Sequence, residues 1–245
     1  MHRFKISSRE EDTFNITGEE FHHLTHVVRL ECGAKVMGFD NSGGQWLGVI
    51  EELDRDSAFC RIVEEGFPDV EAKARVYLVM GLAKGEKMEW VIQKGTELGM
   101  AGFIPLRMKR SVLQLEGAKA RDRVVRWQRI AAEAVKQSHR VIEPEIMEVA
   151  DWTQLKGLLP AETQWLIPYE DEKTHSLKEV LQGYEPKYPI AVLIGAEGGF
   201  APEEVAWAEE KLQARSVSLG PRILRTETAA LAALVMALTY LGDLG

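Results

Sequence analysis

The chain has 245 residues, 45% of them hydrophobic and 28% charged, with 21 Gly and 9 Pro. That composition buries a substantial core and excludes disordered, collagenous and small disulfide-stapled classes. Its net charge of −8 favours solubility and, taken alone, speaks against a polyanionic partner. Cys32 and Cys60, the two cysteines present, provide neither a disulfide framework nor a paired-cysteine metal site. The first residues lack the apolar centre of an export signal. The longest apolar run, Ala229 to Leu238, falls short of the roughly 18 residues that span a membrane. A cytoplasmic protein with no membrane partner is expected.

Up to about Glu65 the pattern predicts short strands and one helix. Phe4 to Ile6 and Phe14 to Ile16 alternate, and Gly18 to Leu30 carries Phe21, Leu24, Val27 and Val28 at helix-stripe spacing. Lys35 to Phe39 and Gln45 to Leu53 flank the turn-forming Asp40 to Gly44, and Ala58 to Val63 adds a further strand. Together these predict a small, mainly antiparallel barrel. The aperiodic, turn-rich stretch Glu65 to Glu71 places a domain boundary there, giving domains over 1–70 and 71–245.

Beyond it, apolar runs at Arg75–Met80, Gly102–Leu106, Thr163–Pro168 and Pro189–Gly195 alternate with helical stretches. Those stretches are Glu86–Leu98, Lys119–Ser138, Leu177–Gln182 and Pro202–Leu212. The alternation predicts an α/β domain whose mostly parallel sheet is covered on both faces.

Charge is unevenly placed. Residues 107–140 hold ten Lys/Arg and three acids, a net of 10 − 3 = +7. On the long helix, Val124, Trp127, Ala131, Ala134 and Val135 share one side, and Arg126, Arg129, Lys136 and Arg140 recur on the other. An ordinary solvated face is one reading. A local positive field that attracts nucleic-acid phosphates is the other, with Lys109, Arg110, Lys84 and Lys87 extending it.

Two loops are candidates for a small ligand. Gly195-Ala196-Glu197-Gly198-Gly199-Phe200 leaves an apolar strand and leads into a helix start, the place where α/β sheets hold ligands. It is neither a dinucleotide fingerprint nor a P-loop, and Glu197 suits a cationic ligand better than a phosphate. Leu219 to Thr228 carries Arg225 and Glu227 into an almost wholly apolar last helix, which Thr226 or Thr228 is placed to cap. That helix is expected to be buried, in part by a second subunit. His22, His23 and His26 lack a carboxylate or cysteine companion at metal-ligand spacing, and no metal is expected.

Residues 193–200 (LIGAEGGF), 219–229 (LGPRILRTETA), 86–99 (EKMEWVIQKGTELG), 126–140 (RWQRIAAEAVKQSHR) and Leu241 to Gly245 resemble the RsmE family of the SPOUT superfamily. Its members methylate N3 of a uridine in 16S ribosomal RNA. The likeness extends to Arg3-Phe4 and to His23 through Leu30, which resemble the family's PUA-like N-terminal domain. The resemblance implies an α/β SPOUT domain with a deep C-terminal trefoil knot, a homodimer, and S-adenosyl-L-methionine bound in the knot. Carried over by position, the cofactor contacts are Ile194, Gly195, Glu197 and Gly198, with Leu219, Gly220, Ile223 and Leu224. Leu166, Ile167 and Pro168 form a third loop. Ala196 departs from the family, which usually has Pro there.

Methyl transfer from a sulfonium needs an acceptor held in line, and N3 of uracil must also lose its proton. The expectation is Arg225 as the cation that stabilises the uracil anion and Glu227 as the carboxylate. Arg3, His23, Arg29, Lys84, Lys109, Arg110, Arg126, Arg129, Lys136 and Arg140 are expected to contact RNA, free or within the small ribosomal subunit. Rival readings are a SPOUT enzyme acting on a ribose 2′-hydroxyl or on transfer RNA, a non-enzymatic RNA-binding assembly module, and an α/β enzyme acting on a small molecule.

Overall fold

A computed structural model gives the fold and describes residues 1–184 and 187–245. The chain folds as two compact units, Met1–Glu71 with Val135–Glu143, and Ala72–Ala134 with Pro144–Gly245.

The first unit is built on one six-stranded sheet. Its strands are β1 (Arg3–Lys5), β2 (Ser8–Glu10), β3 (Thr13–Thr17), β4 (Lys35–Phe39), β5 (Gln45–Leu53) and β6 (Ser57–Glu64), in the order β1-β4-β5-β6-β3-β2. The pairing is antiparallel except for β1 with β4. One continuous stretch supplies both edges: the N–H of Ile6 bonds to Phe39 and that of Ser7 to Asn15. The chain therefore bends across and closes the sheet around Phe4, Phe14, Ile16, Leu24, Val36 and Ile50. Closure removes the open edges that a free sheet would present.

The helix expected over Gly18–Leu30 is shorter and differently wound. An α-helical turn, α1 (Gly18–His22), runs into a π-helical turn, His23–Val28, which Arg29 ends in the left-handed region at φ 59°. A π turn holds more residues than an α turn, so the apolar stripe loses register. Phe21 and Leu24 stay buried, and Val27 swings out to 64% exposure.

The second unit carries a wholly parallel sheet of β7 (Val76–Gly81), β8 (Gly102–Leu106), β9 (Glu145–Ile146), β10 (Gln164–Pro168), β11 (Ile190–Ile194) and β12 (Arg215–Val217). Its order is β12-β10-β11-β7-β8-β9. Strand residues alternate between two cores. Leu78, Phe103, Leu166 and Val192 face one, with α2 (Lys87–Leu98), α3 (Gly117–Ser138), α5 (Leu177–Val180) and α7 (Thr226–Tyr240). Val79, Ile104, Ile167 and Leu193 face the other, with α4 (Leu155–Leu158) and α6 (Pro202–Leu212). Burial on both faces explains why these strands read as unbroken apolar runs.

The long helix ends at Ser138, where the sequence pattern puts its end, but Arg140, grouped with its basic stripe, is not part of it. His139 adopts φ 64°, and Arg140 beyond it is buried. The Arg140 guanidinium meets Glu71 at 2.7 and 2.9 Å, and the N–H groups of Val141 and Ile142 donate to the same carboxylate.

Candidate active site

Three loops leave the C-terminal ends of the neighbouring strands β10, β11 and β12 and open on one cavity of about 1100 Å³ in the second unit. This is where a parallel sheet offers backbone and side chains to a ligand. In the loop after β11, the Gly199 N–H donates to Ala196 at 2.9 Å and closes a turn. A Cβ on Gly195 would lie 3.1 Å from the Gly199 backbone, so a side chain there would press the turn open by a few tenths of an ångström.

The loop after β12 enters α7 at Arg225, the residue at its N-cap position. Neither threonine caps the helix end as expected for Thr226 or Thr228: no side-chain cap bond forms. Instead the Thr226 hydroxyl donates to the carbonyl of Gly195. One hydrogen bond thus ties the glycine turn to the arginine-glutamate turn. Sequence patterning carries no signal for that bond, because the partners are separated by 31 residues.

Eight of the expected cofactor residues line the cavity: Ile194, Gly195 and Glu197, then Leu219, Gly220, Ile223 and Leu224, with Pro168 from the third loop. Leu166 and Ile167 lie in the sheet core below, and Gly198 backs onto Arg110, whose guanidinium donates to its carbonyl at 3.1 Å. Arg225 and Glu227 both line the cavity. Arg225 is exposed. Oε2 of Glu227 is shielded from solvent and has no hydrogen-bond partner among the described residues, which marks it for a ligand N–H or a water.

For Glu197 the expected partner is a cationic ligand, and the structure gives it a protein cation. Its Oε1 accepts from Lys87 Nζ at 2.8 Å and from the Lys84 N–H at 2.9 Å. Partial burial works to raise its pKa, but the bonds from Lys87 and Lys84, its own N–H and the charge of Lys87 outweigh that and hold it below the usual range.

A segment that sequence patterning does not single out also lines the cavity: Tyr169 to Lys173, directly after Pro168. Its position at the end of an apolar strand is the available signal. Hydrogen bonding to Asp171, followed by burial, raises the Tyr169 pKa.

The expected RNA contacts fall into two groups. Lys84, Lys109, Arg110, Arg126 and Arg129 are exposed in the second unit, and Arg29 in the first. Arg126 shares Glu89 with Arg123, at 2.7 and 3.1 Å, and Lys109 pairs with Glu203. The other four are embedded in the first unit. Arg3 is partly buried and donates to Gln45 and to the Arg140 carbonyl. His23 meets the Phe4 ring edge-on at 5.9 Å. Lys136 pairs with Glu20 at 2.6 Å, and Arg140 is held by Glu71.

Known proteins share this architecture. The family described as RNA methyltransferase domain matches residues 70–238, and the RNA methyltransferase PUA domain matches residues 16–63. Ribosomal RNA small subunit methyltransferase E of Bacillus subtilis is 36% identical over 98% of this chain and 94% of its own length. The crystal structure of the Neisseria gonorrhoeae enzyme of that name, bound to S-adenosyl methionine, aligns with a TM-score of 0.86 at 29% identity over 99% of both chains. A putative methyltransferase from Legionella pneumophila, in complex with the same cofactor, aligns at 0.82 and 27% identity over 98% of this chain and 97% of its own. A parallel sheet with a loop-lined cavity, a closed N-terminal sheet and end-to-end similarity place this chain in the ribosomal RNA small subunit methyltransferase E family.

Proposed function

We propose that the protein methylates N3 of a uridine in small-subunit (16S) ribosomal RNA, using S-adenosyl-L-methionine. The observation that carries this is the meeting of the glycine turn and the Arg225–Glu227 turn on one cavity, tied by Thr226 to Gly195. The residues fit the cofactor: Pro168, Ile194, Leu219 and Leu224 give the cavity an apolar lining beside the carboxylates of Glu170, Asp171 and Glu172, a set that suits a cationic sulfonium carrying an aromatic base. Ile194, Gly195, Glu197, Gly198, Leu219, Gly220, Ile223 and Leu224 hold it, with Pro168 from the third loop and Leu166 and Ile167 supporting that loop from the core.

When bound, S-adenosylmethionine supplies a methyl group on a positively charged sulfur, an electrophile that asks for no protein nucleophile. The protein's part is to place the base, exclude water and manage one proton. Glu227 accepts the N3 proton on Oε2, which has no hydrogen-bond partner among the described residues. Arg225, at the mouth, stabilises the negative charge that spreads to the uracil oxygens as the proton leaves. Exposed Lys84, Lys109, Arg110, Arg126 and Arg129 supply phosphate contacts, and the PUA-like first unit binds RNA through Arg29 and the face around Arg3 and His23.

The family and the seating of β12 beside β10 support a trefoil knot in the second unit. A homodimer is supported by α7, where Val235, Met236 and Tyr240 remain 37%, 37% and 38% exposed on an otherwise apolar helix. The enzyme acts in the cytoplasm, on the small ribosomal subunit or its RNA. Nucleoside mass spectrometry of small-subunit RNA incubated with protein and cofactor tests the reading. 3-Methyluridine is expected, and it is expected to vanish with Glu227→Gln. A 2′-O-methylated nucleoside, or modification of transfer RNA alone, would overturn it.

A further inference from the structure

The loop after β8, Arg107–Ser111, packs behind the glycine loop 195–200 that lines the cavity, with Lys109 and Arg110 exposed. Two of its residues, Lys109 and Arg110, fix it there. The Lys109 N–H donates to Oε1 of Glu204 at 2.8 Å. Trp152 Nε1 donates to the same oxygen at 3.1 Å, and the other oxygen accepts from the Ala201 N–H at 2.8 Å, where the loop 195–200 turns into α6. Glu204 is 6% exposed, so this is an internal brace between the basic loop and the glycine loop. Arg110 makes the second contact directly, its Nη1 donating to the Gly198 carbonyl at 3.1 Å.

The fit between the two loops leaves no slack. A Cβ on Gly198 would lie 2.9 Å from Arg110 Cβ and 3.2 Å from its carbonyl oxygen. One on Gly81, beneath, would lie 2.2 Å from Met108 Sδ and 2.7 Å from the Ala196 nitrogen. Arg110 is therefore packed directly on Gly198, which its guanidinium also holds by the carbonyl. Its charge also reaches the cavity, where it partly offsets the rise in the Tyr169 pKa.

We propose that Arg110 is a positioning residue that couples the two substrates, holding the Gly198 carbonyl with one arm of its guanidinium and an RNA phosphate with the other, so that bound RNA tightens the cofactor site. The inference rests on the proposed function. An exposed guanidinium carries five donors in a planar fork, and one of them is spent on Gly198. A phosphate on the remaining donors orders the side chain. The cofactor then meets a loop whose ordering is already complete. By linkage the effect is mutual: cofactor must tighten RNA by the same factor.

Calorimetric titration with sinefungin, a cofactor analogue that transfers no methyl group, tests this with and without a small-subunit ribosomal RNA transcript. Wild-type protein is expected to bind the analogue about fivefold more tightly with RNA, at the low end of the usual range for coupled sites. RNA is expected to bind tighter by that factor with the analogue present. Arg110→Ala should weaken RNA binding and bring the ratio to one. Arg110→Lys, which keeps the charge but lacks the fork, should bind RNA and still show a ratio near one. Lys109→Ala, whose side chain meets Glu203 rather than Gly198, should weaken RNA and keep the wild-type ratio. Circular dichroism confirms that each variant is folded. A ratio of one in wild type, or a full ratio in folded Arg110→Ala, overturns the coupling. Failure of wild type to bind the analogue or the RNA overturns the proposed function itself, and the coupling with it.

Discussion

Glu197 and Cys60 show how neighbours decide the chemistry of a side chain. Lys87 and the Lys84 N–H hold the Glu197 carboxyl below its ordinary range against the effect of burial. A group whose folded pKa is depressed contributes stability that is fully present above its unfolded pKa, about 4.3 for a glutamate, and loses it as pH falls through the folded value. Sinefungin affinity should therefore be insensitive to this group between pH 8 and about 5 and decline only on further acidification. Glu197→Gln should flatten that acid limb, and an equal decline in wild type and variant would remove Glu197 from the loop's ordering. Burial pushes the Cys60 thiol up to about 12, and Cys32 is exposed. With thiolate the reactive species, a chromogenic disulfide reagent should titrate one thiol in the native chain and both in denaturant. These environments are tertiary: Glu197 is legible in the sequence as a loop acid, but Lys87, lying 110 residues away, is not legible as its partner.

At the scale of elements, the Thr226–Gly195 bond predicts that Thr226→Val, nearly isosteric and without the donor, loosens the two loops from each other. A hydrogen bond of this kind contributes about 1 kcal/mol, so thermal unfolding should report a loss of that order and cofactor affinity a fall of about fivefold. Unchanged affinity in the folded variant would show that the loops are held by packing alone. Sequence periodicity traces the elements around this bond well. Lys35–Phe39, Gln45–Leu53, Gly102–Leu106 and Pro202–Leu212 coincide with the observed strands and helix, since each is long or apolar enough for its period to show. What it misses is short or set by distant partners. Strand β2 (Ser8–Glu10) is fully exposed and exists because it pairs with β3. Strand β9 has two residues. The π turn at His23–Val28 moves Val27 out of an apolar stripe that a regular helix would have buried. The cavity's two main loops are legible from glycine, arginine and glutamate placed after strands. Tyr169–Lys173 is not, because an acidic, aperiodic segment looks the same whether it walls a cavity or faces water.

For the molecule as a whole, charge counted along the sequence and charge presented to a partner are different quantities. The net +7 of residues 107–140 is partly answered in the fold by carboxylates from outside that window: Glu89, Asp151, Glu203, Glu71 and Glu20. The residues grouped as one stripe therefore divide by burial, and salt separates them. Each phosphate contact on a single strand adds about −0.7 to the slope of log affinity against log salt. Arg126, its side chain 60% exposed, should on replacement by alanine reduce the steepness by about that amount while leaving the melting temperature nearly unchanged. Arg140, paired with Glu71 at side-chain exposures of 7% and 11%, should do the reverse. Arg140→Ala strands a buried carboxylate at a cost of about 3–5 kcal/mol, which appears in denaturant unfolding, and below its transition the folded protein should keep the wild-type salt slope. Should Arg140→Ala flatten the slope while Arg126→Ala lowers stability, the assignment of these two arginines by burial is reversed, and the RNA-facing surface must be sought on the unit that holds Arg140.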